Sequence, residues 1–77
     1  MLKDNQGAFL GIGDVIVVPN NNVTILARIC GYEGFHEGIL YLEYGKNTDG
    51  PRTVTNDMVM RANNEATMAF NAAYMRG

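Results

Sequence analysis

Four β-branched residues stand in a row at Val15-Ile16-Val17-Val18, preceded by the turn pair Gly13-Asp14 and closed by Pro19. Successive side chains of a strand point to opposite faces, so this run is apolar on both and needs cover on both. The chain that must supply that cover has 77 residues, 47% of them apolar and 18% charged. Such a length supports one globular domain, and the low charge beside an ordinary apolar fraction argues against disorder. The first strand, Ile12 to Pro19, is followed by Asn20-Asn21-Asn22. Asparagine tolerates positive φ and bonds to nearby backbone, so the triplet predicts the tight turn of a hairpin.

The returning strand is Val23 to Gly31. Val23, Ile25, Ala27 and Ile29 form its expected core face, and Thr24, Leu26, Arg28 and Cys30 the other. Tyr32 to Gly38 reads as a glycine-bounded loop. A third strand, Ile39 to Tyr44, sets Leu40, Leu42 and Tyr44 against Ile39, Tyr41 and Glu43. Gly45 to Pro51 is turn chemistry throughout. A short strand at Arg52–Thr55, a helical turn at Asn56-Asp57 and a last strand at Met58–Arg61 complete the β region. Residues 1–11, polar and glycine-containing, are expected to be a flexible arm.

Four of the five methionines and five of the seven alanines fall in the final 20 residues. Ala66, Ala69, Phe70, Ala73 and Tyr74 recur at helical spacing, which predicts a helix over 64–75 with Asn64 as its N-cap. This helix is expected either to cover the β region of its own chain or to meet a second copy. Met68, Phe70, Tyr74 and Met75 would dominate the contact.

The stretches Gly13–Val18 (GDVIVV), Glu37–Tyr44 (EGILYLEY) and Val54–Met60 (VTNDMVM), with Gly31 following ARIC, resemble the strand and turn order of SH3-like small barrels over roughly residues 12–61. The resemblance implies a mainly β fold: an SH3-like small barrel or strongly bent antiparallel sheet at 12–61, with one C-terminal helix within 62–77. The spacing is also similar to that of the type II dihydrofolate reductases, small chains of this class that assemble around a shared pore. Their Val-Gln-Ile-Tyr segment corresponds to Thr53-Val54-Thr55-Asn56 here, which lacks the Gln and the Tyr. The likeness therefore implies only that such a fold can work as an oligomer, not that activity.

Several function classes are disfavoured. No uninterrupted apolar run, Val15–Val18 included, exceeds four residues, too short to cross a bilayer. The N-terminus lacks a signal-like apolar stretch, and Cys30 has no second cysteine to pair with, so a complete cytoplasmic product is expected. Residues 1–50 carry six acids and three bases, a net of −3, and residues 51–77 carry two and three, a net of +1. With no Lys/Arg cluster to neutralise a row of phosphates, nucleic-acid binding is the alternative reading rather than the first. A core built from fewer than ~80 residues rarely supplies more than ~3–5 kcal/mol, which favours a homo-oligomer, most simply a two-fold dimer.

The densest polar constellation is Tyr32-Glu33-Gly34-Phe35-His36-Glu37. Glu33, His36 and Glu37 suit a divalent cation, but no second histidine joins them, and the stretch reads as a solvated loop without metal. Cys30 and His36 have no third group to orient the imidazole, so no catalytic set and no cofactor are expected. Gly11-Ile12-Gly13 precedes a strand instead of linking a strand to a helix, which is the wrong context for a dinucleotide fingerprint. The expected function is a non-catalytic binding module, in the manner of a phage or mobile-element accessory protein that inhibits or sequesters a host component. A protein partner would meet Phe35, Tyr41 and the helix. A small anionic ligand would sit in a pocket between subunits with Arg28 or Arg52 facing it. The nucleic-acid alternative would instead use Arg28, Tyr32, Phe35, Tyr41 and Arg52 as one face. These residues and His36 are the candidate ligand- or partner-binding set.

Overall fold

The computed structural model describes residues 2–33, 38–46 and 48–76, with side chains described as far as Tyr74. In chain order its elements are β1 (Leu2–Lys3), β2 (Phe9–Leu10), β3 (Val15–Asn20), β4 (Val23–Glu33), β5 (Ile39–Glu43), β6 (Thr53–Thr55), a 3-10 turn (Asn56–Met58), β7 (Met60–Arg61) and α1 (Asn64–Arg76). The fold is mainly β, as the patterning predicts, with a five-stranded sheet curled into a half-barrel and a single C-terminal helix. The strand order is β6-β5-β4-β3-β7, with every neighbour antiparallel. Among the described residues, no helix is long and apolar enough to cross a membrane.

The apolar run forms the middle of this sheet. β3 pairs with β4 from Val15↔Arg28 to Asn20↔Val23, and Asn21 takes the positive φ of 47° that the turn requires. Ile16 and Val18 are fully buried on the inner face and Val15 on the outer, so the strand is covered on both sides. Ile25, Ala27 and Ile29 join the inner core. Val23, expected with them, is 60% exposed because it closes the hairpin beyond the covered part of the sheet. Ile12 is also exposed, in a turn where Gly13 adopts φ 96° and Asp14 accepts a hydrogen bond from the Gly11 N–H at 2.8 Å.

β4 does not stop at Gly31. Ile29 pairs with Leu42 but Gly31 with Tyr41, so Cys30 is an extra residue in the ladder, and pairing then continues through Tyr32↔Leu40 and Glu33↔Ile39. This bulge turns the start of the expected loop into strand. Residues 34–37 lie outside the described ones. β5 ends at Glu43, one residue early. Tyr44 is nevertheless buried, its hydroxyl donating to the Pro51 carbonyl at 2.6 Å.

Residues 2–10 are not a loose arm. β1 and β2 pair as Leu2↔Leu10 and Lys3↔Phe9, and both leucines are buried in the inner core. The hairpin is organised by Asp4, whose Oδ1 accepts the N–H groups of Gln6 and Ala8 at 2.8 Å each. Its Oδ2 accepts the N–H of Arg61 at 2.7 Å. Burial works against the Asp4 charge, yet the hydrogen bonds from Arg61, Ala8 and Gln6 and the Arg61 charge outweigh it and hold its pKa below the ordinary value. Asn56 adds a second tie, accepting the Gly38 N–H at 3.0 Å and donating Nδ2 to the Lys3 carbonyl at 2.6 Å.

α1 begins one residue later than its cap. Asn63, not Asn64, is the N-cap, its Oδ1 accepting the Ala66 N–H at 2.7 Å. The helix lies on the outer face of the sheet, where Val15, Ala62 and Phe70 are buried with Val17, Leu26, Ala66 and Tyr74 packed around them. Ala69 and Ala73, expected on the same stripe, lie off the buried line and are exposed. The contact runs along Ala66, Phe70 and Tyr74 at four-residue steps, which is one narrow line on a helix.

Candidate binding face

The outer face of the sheet divides into a covered and an open half. Under the helix, the sequence places Arg28 opposite Glu43 in the β4–β5 ladder, which puts the two side chains next to each other. Arg28 Nη1 donates to Glu43 Oε1 at 3.4 Å, and Nη2 donates to Asn71 Oδ1 at 3.1 Å. The guanidinium carbon lies 4.3 Å from the Tyr74 ring centroid and 5.6 Å from that of Phe70, and these two rings stack at 5.8 Å. The Tyr74 hydroxyl donates to Glu43 Oε2 at 3.2 Å, so each carboxylate oxygen has a partner. Arg28 is thus engaged in seating the helix, through an ion pair, an amide and two ring faces.

The open half lies across β4, β5 and β6. Cross-strand register sets out two rows, Glu33–Ile39–Thr55 and Gly31–Tyr41–Thr53. Ile39 is 37% and Tyr41 38% exposed. The Tyr41 ring lies against Gly31 across the strand pair, where even a Cβ would make an ordinary van der Waals contact of 3.5 Å with Tyr41 Cδ2. A hydrogen bond to the Glu33 carboxylate, with some loss of water and the carboxylate's charge, pushes the Tyr41 phenol above its ordinary pKa. The thiol of Cys30 at the bulge donates to the Tyr41 carbonyl at 3.3 Å.

The expected six-residue site is therefore not one surface. Arg28 is under the helix and Tyr41 on the open half. Tyr32 lies beyond the bulge, paired with Leu40 and 50% exposed. Arg52 is exposed just before β6, its carbonyl accepting the Leu42 N–H at 2.9 Å, and is close enough to Tyr44 that its charge pulls that phenol back down against the rise caused by burial. Phe35 and His36 lie outside the described residues. Of the residues expected at an oligomer contact, Phe70 is buried within its own chain, Tyr74 is tied to Glu43, and Met68 is exposed; the Met75 side chain lies outside the described part. Sequence reasoning set Ile39 and Tyr41 on one face but missed Glu33, Thr53 and Thr55 as their neighbours. The period-2 alternation of Ile39 and Tyr41 was the available signal, but the bulge that brings Glu33 into line has none.

No family model, curated protein or solved structure matches the chain.

Proposed function

We propose that this protein is a non-catalytic binding module that occupies a protein partner through the open half of its sheet. The observation that carries the reading is the contrast within one face. The half over β3 and β4 is covered by α1, while the rows built on Ile39 and Tyr41 present apolar and aromatic surface to solvent between threonines and one carboxylate. Aromatic and branched side chains on a rigid strand bind at low entropic cost, which suits a contact surface. A small anionic ligand held by Arg28 has less support, because that guanidinium already has its partners. An accessory protein that inhibits or sequesters a host protein works in this way. Self-association belongs to the same reading, with the small core as its motive, and sedimentation at micromolar concentration measures it. The partner test is affinity capture with the wild type beside an Ile39→Asp/Tyr41→Asp variant. A protein retained by the wild type and lost by the variant supports the proposal; equal retention by both, or none by either, overturns it.

A further inference from the structure

A separate feature lies between α1 and the start of β4. A cavity of about 270 Å³ has Ile25, Leu26, Phe70 and Ala73 as its floor, and Gly45, Lys46 and Thr48 form its rim. Two small residues hold it open. Ala73 leaves a helix position short, and at Gly45 even an added Cβ would come no closer than 4.0 Å to the Phe70 ring. Water on such a floor finds few hydrogen-bond partners, so an apolar group gains by displacing it. Lys46 is the one charged residue among those lining the cavity, and among the described residues it forms no ion pair. The rim therefore favours a negative group, and the Thr48 hydroxyl offers a further hydrogen bond.

We propose that this cavity is a binding site for a small carboxylate amphiphile, with the carboxylate at Lys46 and Thr48 and the apolar body against Leu26, Phe70 and Ala73. At a water's share of ~30 Å³ per non-hydrogen atom, the space takes about nine such atoms, close to the size of an eight-carbon fatty acid whose carboxylate reaches the rim. The site does not draw on Ile39 or Tyr41, so it stands apart from the proposed protein-binding face.

Sodium octanoate, titrated into the full chain and followed by the methyl resonances of Ile25, Leu26 and Ala73, is the test. Saturable shifts are expected with a dissociation constant on the order of 1 mM or tighter. Lys46→Gln, on an exposed turn, should weaken octanoate about tenfold, and 1-octanol should bind the wild type about tenfold more weakly than octanoate. Ala73→Met places a longer side chain in the cavity and should remove saturable binding. Ile39→Asp/Tyr41→Asp should leave octanoate binding unchanged even if it abolishes partner capture. Absence of saturable shifts in the folded wild type overturns the proposal. So does wild-type affinity in Ala73→Met, or equal affinity for octanoate and octanol together with no effect of Lys46→Gln.

Discussion

On its inner face the sheet buries Ile16, Val18, Ala27, Ile29, Leu40 and Leu42 together with Leu2, Leu10, Tyr44 and Val59, drawn from nearly every part of the chain. On its outer face Val15, Ala62 and Phe70 are the buried residues, with partly buried neighbours and the Arg28–Glu43–Tyr74 cluster beside them. The inner core closes contacts that are distant in sequence, including both chain-terminal regions of the β unit, so losing any part of it loosens the whole. The outer core depends on one helix docking along one line. Regions with few buried apolar contacts open at lower free energy than the global transition. The helix is therefore the part of the molecule able to come away while the sheet persists.

That contrast is most directly broken at its strong side. Leu40 is fully buried, and Leu40→Ala should cost about 2–5 kcal/mol, enough to unfold a domain of this size cooperatively. Urea melts followed by sheet and helix signals should move together. Phe70→Ala is the matching test on the outer face, with an expected cost of about 2–3 kcal/mol because the helix can lift instead of leaving a sealed cavity. Hydrogen exchange should then show α1 amides losing protection while Ile16, Ala27 and Ile29 keep theirs. Equal loss in both would erase the distinction between the two cores.

Asp4 sharpens the comparison from the inner side, since its carboxylate ties the N-terminal hairpin to β7. Asp4→Asn exchanges one acceptor oxygen for a donor and should cost about 1–2 kcal/mol near neutral pH. The acid dependence follows from the lowered pKa of the folded state. The unfolded chain takes up the proton first as pH falls, so the stabilisation is complete above the ordinary carboxylate range and is lost as pH drops through the depressed folded value. Melts of wild type and Asp4→Asn should accordingly converge toward low pH; a constant gap would contradict the assignment.

The smallest expected effect is on the open half. Glu33→Ala removes both the hydrogen-bond acceptor and the charge by which Glu33 raises the Tyr41 phenol pKa. Ultraviolet titration of phenolate should show that tyrosine moving down toward its ordinary value, with stability changed by less than about 0.5 kcal/mol. An unmoved Tyr41 would mean that the Glu33 carboxylate does not act on its hydroxyl.

Much of the β framework is legible in residue order because its signals are local. The run Val15–Val18 demands a strand covered on both faces, Asn20–Asn22 supplies the positive-φ turn, and the alternation of Ile25, Ala27 and Ile29 marks the inner face. The helix is equally visible from the spacing of Ala66, Phe70 and Tyr74, though its cap falls one residue earlier than the strongest local candidate. Leu2 and Leu10 carry no periodic signal of their own. Their burial depends on a carboxylate at Asp4 meeting an N–H at Arg61, across the length of the β unit. Arg28 likewise looks like a ligand-binding cation on an exposed strand face until the helix brings Asn71 and Tyr74 onto it. Periodicity and turn chemistry act over a few residues and by themselves determine which segments become strands, turns and helix. Which faces are covered, which charges are already paired and which half of the sheet remains open depends on long-range docking, and only the tertiary structure decides it.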